Sequence, residues 1–383
     1  MNHQKKKKKG TWGSLLVLVL CIAIGILCGI LLGNSLDALG DLNFGQILLY
    51  TLLFLAELLV ADLLQLILHE AGHLVFGLMT GYGFFSFRIM SFMWVKESGK
   101  IRFCRLSIAG TGGQCLMTPP DLVDGNMPVV LYNLGGVILN LIVSAIAFSL
   151  TFAVSNIRPL FEIFMLIALL GVGIALSNGI PLRTATVDND GYNAFSLRRD
   201  KKALYAFWVQ MKVNEQVASG VRIKDMPSEW FEIPSDEEMK NSMIAVLGVF
   251  ACNRMVDAHE FEEGAEKMKH LLEIDSGIAG IHRNLMICDL IYIELISENR
   301  KDVLEGFLTD EQKKFMKTMK SFPSVIRTEY AYALLCERDQ AKADASKALF
   351  EKCAKTYPYP NDIASDRELM ELAESKIEKE EQS

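Results

Sequence analysis

The stretch Leu68-His69-Glu70-Ala71-Gly72-His73-Leu74 reads His-Glu-x-x-His and lies inside a long apolar run. Residues four apart share one face of a helix, so His69 and His73 can direct two imidazoles at one metal ion. Glu70 follows about 100° further round the helix, where its carboxylate can take a proton from a water. The alternative is a pair of ordinary core histidines, but ionisable groups among apolar neighbours are costly to bury. The stretch therefore predicts a metal site with a general base.

Composition divides the chain into two parts. Of the 383 residues 51% are hydrophobic, and the net charge is −7. The long apolar runs lie before residue 182 and the acidic excess lies after residue 225, which predicts a membrane part followed by a soluble part. The acidity of the second part gives no argument for nucleic-acid binding, which would need a basic face. The eight cysteines are scattered without a Cys-x-x-Cys pair, so the sequence indicates neither a disulfide framework nor a zinc knuckle.

Four apolar runs are long enough to cross a bilayer: about residues 12–33, 47–78, 127–154 and 160–180. The first run follows a lysine cluster at residues 5–9, and it is too long for the apolar core of a signal peptide. Arg183, Arg198 and Arg199 follow the last run. The positive-inside rule then predicts a multi-pass protein of the cell membrane with the N-terminus and the C-terminal domain in the cytoplasm.

Residues 81–127 interrupt the apolar pattern. The segments 84–90 and 100–106 are strand-like, and a turn-like Glu97-Ser98-Gly99 lies between them. We expect a small β-hairpin at the membrane surface, whose edge would be able to pair with an extended peptide. A hairpin that only covers the mouth of the site is an equal alternative.

A third ligand is needed, since hydrolytic zinc sites commonly use three protein ligands and leave one position for water. Asn178-Gly179-Ile180-Pro181, followed by Val187-Asp188-Asn189-Asp190-Gly191, offers a carboxylate. Taken alone, the second of these segments would be read as a surface turn. Asp190 is preferred to Asp188 because Gly191 follows it and lets the backbone turn close to a metal.

With these motifs the chain resembles the site-2 protease family of intramembrane metalloproteases over about residues 47–200. The resemblance implies a Zn²⁺ ion bound by His69, His73 and Asp190, with Glu70 as general base. It also implies that Asn178 and Pro181 shape a strand-like segment that orients substrate. A Gly-x-x-x-Asn pattern at Gly136 and Asn140 resembles the family's intervening span. The segment between Pro181 and Asp190 is longer than in compact members of the family, which keeps Asp188 as a rival ligand.

After residue 205 the chain becomes amphipathic and charged. A helix and linker at 205–235 precede recurring helical patterns at 238–255, 260–274, 278–298, 310–320, 324–337, 341–357 and 364–379. Paired patterns such as 261–274 followed by 278 onward resemble tetratricopeptide-type repeats, which usually offer a concave surface to a protein partner. A helical domain that only stabilises or regulates the enzyme is the alternative.

These patterns predict an all-α polytopic membrane protein with a small β-hairpin insertion and a soluble α-helical repeat domain. The predicted divisions are a basic N-terminus with the first span (1–46), a protease-like core (47–204), a connecting helix and linker (205–235) and a cytoplasmic helical domain (236–383). The predicted function is that of a zinc endopeptidase, embedded in the lipid bilayer, that cleaves membrane-spanning or membrane-proximal segments of its substrate. An inactive membrane scaffold, or a protease that processes leader peptides, are the alternatives.

Overall fold

The computed structural model describes residues 11–97, 99–107, 111–182 and 188–382. The chain forms two compact units, one of residues 1–84 and 112–201 and the other of residues 85–111 and 202–383. The lysine cluster at 5–9, as well as Ser98, Arg183 and Val187 of the predicted segments, lies outside the described residues.

The first unit contains four helices that are long and apolar enough to span a membrane. They are α1 (Thr11–Leu39), α2 (Phe44–Met79), α3 (Val130–Ala153) and α4 (Arg158–Gly179). Each contains one of the four predicted apolar runs, apart from a few residues at the ends, so the sequence prediction of four spans is confirmed at this level. Which side of a membrane the termini occupy stays a prediction.

Helix α2 begins at a capping box. The Asn43 side chain accepts a hydrogen bond from the Gln46 backbone N–H, and the Gln46 side chain accepts one from the Asn43 N–H, both at 3.0 Å. Two of the donors left free at a helix start are thereby satisfied. Helix α2 then continues for 36 residues without a break and carries the His-Glu-x-x-His motif in its last third.

The rest of this unit is a short strand and a short helix. Strand β4 (Gly113–Thr118) precedes α3, and helix α5 (Asp190–Arg199) follows α4. Helix α5 begins at Asn189, whose side chain accepts a hydrogen bond from the Tyr192 N–H at 2.9 Å. The sequence prediction placed a turn with a ligand here and did not identify the helix.

The second unit contains a β-sheet inserted between α2 and β4. Strands β1 (Gly83–Ile89), β2 (Phe92–Glu97) and β3 (Lys100–Arg105) pair antiparallel in sequence order. A small antiparallel sheet is therefore present, but the predicted hairpin of segments 84–90 and 100–106 is wrong, because both segments pair with an unpredicted middle strand, β2. Strand β3 is also tied to the C-terminal part of this unit, since the Arg105 N–H donates to the Thr356 carbonyl at 3.2 Å.

Helices make up the remainder of the second unit. They are α6 (Lys201–Ala218), α7 (Ser242–Asp257), α8 (Phe261–Glu273), α9 (Gly280–Ile296), α10 (Lys301–Phe307), α11 (Asp310–Thr318), α12 (Pro323–Ala331, continued by a π-helical turn over Tyr332–Glu337), α13 (Gln340–Ala354) and α14 (Pro360–Gln382). All seven predicted helical patterns correspond to helices here, and α10 was not predicted. The tetratricopeptide-like character of this domain stays a prediction.

Candidate metal centre

Two helices of the first unit bring the predicted ligands together. Helix α2 carries His69 and His73, and Asp190 is the first residue of α5. Their ligand atoms all lie within 4.8 Å of one another. The described residues contain no other such group of histidine, cysteine and carboxylate side chains. Both imidazoles are buried, and the carboxylate of Asp190 is mostly buried.

Fixed acceptors decide which imidazole nitrogens carry protons. The Asn140 amide nitrogen donates to the Gln65 carbonyl at 2.9 Å, so its oxygen faces His69 Nδ1 at 2.7 Å and must accept. His73 Nδ1 lies 2.8 Å from the Tyr132 backbone carbonyl, which can only accept. Both histidines therefore carry a proton on Nδ1, and their Nε2 atoms point at each other and at Asp190, where each can bind a metal ion or, without one, a proton that it donates to Asp190.

The distances between the three converging atoms suit a small tetrahedral ion. His69 Nε2 and His73 Nε2 are 3.3 Å apart, and they lie 3.0 Å and 3.5 Å from Asp190 Oδ2. Ligands held about 2.0–2.2 Å from a tetrahedral zinc ion are about 3.3–3.5 Å from one another. Unprotonated nitrogens facing each other at this distance repel without a cation between them, so the residues present fit a metal ion.

The pKa of the Asp190 carboxyl supports the same arrangement. Burial acts to raise this pKa, but the charge of His73 and hydrogen bonds from both imidazoles hold it well below its usual range. The carboxylate is thus ionised, which is the form that binds a metal.

Glycines permit the close approach of α2 and α3 at the site. A Cβ on Gly72 would lie 2.3 Å from the Gly135 carbonyl oxygen, and one on Gly136 would lie 2.7 Å from the ring of His69. Helix backbones approach this closely only through small residues. Because α3 lies so near, Asn140, one helical turn after Gly136, reaches His69.

Glu70, the predicted base, is buried on α2 beside the ligands, with an exposed fraction of 7%. A Cβ on Gly113, the first residue of β4, would lie 2.5 Å from Glu70 Oε1. The backbone of β4 therefore runs directly against the carboxylate and restricts where it can point. Glu70 is not among the three convergent residues, as expected for a base rather than a ligand.

Asn189 holds Asp190 in place. Its amide nitrogen donates to the carbonyls of Ser177 and Ile180 at 2.8 Å and 2.6 Å, and its oxygen accepts from the Leu182 N–H at 3.0 Å. These bonds tie the start of α5 to the end of α4. Asp188, the rival ligand in the sequence, is not part of the convergent group.

The other predicted site residues occupy varied positions. The Asn178 amide donates to the Ile174 carbonyl of its own helix at 3.0 Å. Pro181 is exposed just beyond α4. A Cβ on Gly191 would lie 2.2 Å from the Gly179 carbonyl oxygen, so this glycine is needed for close packing of α5 on α4. A role of Asn178 and Pro181 in orienting substrate stays a prediction.

Sequence reasoning missed three residues that orient the ligands: Gln65, Tyr132 and Asn189. Gln65 lies four residues before His69, so helical spacing would have placed it on the same face. Asn189 has the residue type and position of a helix N-cap. Tyr132 acts through its carbonyl, which no side-chain pattern reveals.

No family model, curated protein or solved structure matches this chain. We therefore infer the function from the geometry of the site and from the chemistry of its residues.

Proposed function

We propose that the protein is an intramembrane metalloprotease that hydrolyses peptide bonds in or near membrane-spanning segments. One observation carries this proposal: two imidazole nitrogens of a helix that can span a membrane lie within 4.8 Å of each other and of the Asp190 carboxylate oxygen, with Glu70 beside them. An ionisable group at such a depth is costly to keep and is a functional-site candidate by default.

The donor set of two imidazoles and one carboxylate favours zinc, and a bound Zn²⁺ would supply Lewis acidity toward water and a peptide carbonyl. His69, His73 and Asp190 would hold the ion. Asn140 and Tyr132 keep both imidazoles in the required tautomer through their Nδ1 hydrogen bonds. These hydrogen bonds orient both Nε2 atoms toward the position that the ion would occupy.

Glu70 has the chemistry of the proton carrier. As a carboxylate it accepts a proton from the attacking water, and it can return that proton to the amine that leaves when the C–N bond breaks. Its place against the Gly113 backbone keeps the carboxylate near the ligands. A substrate helix must unwind before attack, because its amides are already hydrogen-bonded within the helix.

The bias of Lys and Arg along the chain supports insertion with the motif end of α2 towards the cytoplasm. In this orientation the C-terminal unit is cytoplasmic and available to a protein partner. The substrate in this proposal is a membrane protein or a peptide that reaches the active site from the bilayer.

The test compares wild-type protein with Glu70→Gln in reconstituted vesicles that contain a single-span reporter. We expect the variant to retain bound zinc, since Glu70 is not a ligand, and to cleave about 10²–10⁴ times more slowly, as is typical for loss of a general base. Glu57→Gln, which removes another carboxylate from α2, serves as the matched control and should cleave at the wild-type rate.

Two results would contradict the proposal. Equal cleavage by Glu70→Gln and wild type would exclude Glu70 as the base. A zinc-loaded wild-type protein that cleaves neither membrane spans nor leader peptides would favour the scaffold alternative, whereas cleavage of leader peptides alone would favour a maturation protease.

A further inference from the structure

A groove of about 560 Å³ lies between α1, α2 and α4, which all belong to the first unit. Helix α1 contributes residues from Val17 to Leu32, so the groove follows this helix for about 22 Å at about 1.5 Å per residue. Most of its lining is apolar. Among the described residues that line it, Asp62 of α2 is the one carboxylate. A plain lipid-facing surface has no use for such a side chain.

Asp62 lies within the apolar length of α2. Leu59 and Leu63 on either side of it are both exposed, as residues in contact with lipid are. Asp62 is exposed as well, and it forms no hydrogen bond or ion pair with the residues that the structure describes. A carboxylate in hydrocarbon is costly unless a cation or a hydrogen-bond donor faces it. Asp62 therefore indicates a partner that the described part of this chain does not supply.

Gly25 and Gly29 of α1 make room for another helix in the groove. They are four residues apart and share a face, and both line the groove. A Cβ on either glycine would have no atom within 4 Å. The neighbouring Ile24 instead packs on α4, where a Cβ on Gly173 would lie 3.0 Å from it. Helix α1 thus leaves a face of small residues uncovered, which lets the backbone of a further helix approach closely.

The carboxylate decides between the occupants that could fill the groove. The acyl chain of a lipid would cover the apolar walls but offers nothing to Asp62. A second copy of this chain offers little, because Arg158 is the one Lys or Arg of α1–α4 and lies at the very start of α4. A membrane-spanning helix of another protein, with a Lys or Arg among its apolar residues, satisfies both the walls and the charge.

The groove is aligned with the metal centre. Asp62 precedes His69 by seven residues, which places both on nearly the same face of α2 and about 10 Å apart along its axis. Ser177 of α4 also lines the groove, and its carbonyl accepts a hydrogen bond at 2.8 Å from Asn189, the neighbour of the ligand Asp190. A helix that lies along the groove therefore leads towards the ligands.

We propose that this groove binds the membrane-spanning segment of the substrate, and that Asp62 selects segments with a Lys or Arg at its own depth. Asp62 pairs with the cation of that residue, while Gly25 and Gly29 contact the backbone of the substrate helix. The inference rests on the proposed proteolytic function, because it makes the bound segment the substrate. The binding itself uses none of the metal ligands, so it can be measured without cleavage.

The test uses full-length Glu70→Gln protein in phosphatidylcholine vesicles, so that binding is observed without cleavage. The probes are photoreactive, leucine-rich peptides of about 20 residues with Lys, Leu or Asp at the central position. We expect the Lys peptide to cross-link to the groove about tenfold more than the Leu peptide. With Asp62→Asn added, its yield should fall to that of the Leu peptide. With Asp62→Lys added, the protein should capture the Asp peptide instead.

Matched controls separate the groove from general effects on the fold. Glu57→Gln removes a carboxylate of α2 that is not among the described lining residues, and it should cross-link like the parent protein. Gly29→Leu fills the groove, whereas Gly33→Leu adds the same side chain to α1 where the space is equally open but outside the described lining. Of these two variants, Gly29→Leu alone should prevent cross-linking. Circular dichroism checks that each variant is folded.

Three results would overturn the inference: equal cross-linking of the Lys and Leu peptides, parent-level cross-linking of the Lys peptide to Asp62→Asn, or cross-links that map outside the groove. Wild-type protein should then cleave the Lys peptide faster than the Leu peptide. Selective binding of the Lys peptide without cleavage by zinc-loaded wild type would instead contradict the proposed function, while the pairing with Asp62 would stand.

Discussion

The metal centre and a cavity of about 280 Å³ in the C-terminal unit both gather charged side chains, but these side chains are paired differently. At the metal centre the remote nitrogen of each imidazole has a fixed acceptor, and the three free atoms point at one position. In the cavity Arg222 pairs with Asp257, and Arg327 contacts both Asp289 and Asp366. The first arrangement leaves a position for an ion, whereas the charges of the second are partly compensated by one another.

The largest effect is expected on bound zinc when a ligand of the metal centre is removed. His73→Ala removes one of three ligands, so we expect bound zinc to fall from about one ion per chain to background, since a structural or catalytic zinc site commonly has three or four protein ligands. Metal analysis of the purified protein measures this. His259→Ala, which removes a partly exposed histidine of the C-terminal unit, should keep its zinc. Retention of zinc by His73→Ala would mean that the ion binds elsewhere.

A smaller loss of zinc affinity is expected when a residue that orients a ligand is removed and the ligand itself is kept. Asn140→Ala removes the acceptor for His69 Nδ1, and we expect zinc affinity to fall about 10–100-fold, as for other residues that orient ligands. Competition with a chelator measures the affinity. Asn133→Ala is the control, because Asn133 is buried on the same helix but bonds only to the Val129 carbonyl of its own segment. Equal losses in both variants would point to general destabilisation of α3.

The next prediction concerns the packing that brings α3 to His69. In Gly136→Ala the new Cβ would lie 2.7 Å from the His69 ring, and such overpacking costs about 1–3 kcal/mol. We expect the apparent melting temperature to fall by several degrees. Gly25→Ala on α1 has open space around its Cβ and should melt like wild type or slightly higher. If the two variants have the same melting temperature, α2 and α3 do not approach each other as closely as described.

The smallest effect is expected at Asp362, which lines the cavity of the C-terminal unit. The pKa of Asp362 is about 7 in the fold and 3.8 ordinarily, so the folded state binds more protons between these values. Its contribution to stability is therefore favourable near pH 4 and is lost as the pH rises to 7. Asp362→Asn removes this loss, and we expect a melting temperature a few degrees above wild type at pH 8 and no difference near pH 4. A difference that does not change with pH would contradict the raised pKa.

The sequence predicts much of the fold because its signals are local. Runs of about 20 apolar residues specify membrane spans, and the pair His69 and His73 follows from helical spacing. Asp190 was predicted through the resemblance, and the structure places it 3.0 Å from His69.

The features that were missed depend on contacts between distant segments. The orientation of His73 is set by a backbone carbonyl 59 residues away in the chain, at Tyr132. Strand β2 was not predicted, since Phe92-Met93-Trp94-Val95 is apolar throughout and the sequence does not show the alternation of exposed and buried positions that the strand has in the fold. The cavity combines residues from 217 to 369, and no local spacing connects Arg327 with Asp366.

The length of α2 has a consequence for the depth of the metal centre. A helix of 36 residues is about 54 Å long, and His69 lies about 38 Å from its start, whereas the hydrocarbon core is about 30 Å thick. If α2 starts at one membrane interface and stands upright, its two histidines lie beyond the opposite interface. If α2 is tilted, the same histidines lie within the hydrocarbon core. Acyl-chain length in the host membrane is therefore a variable that can move these imidazoles between lipid and aqueous surroundings without any change in sequence.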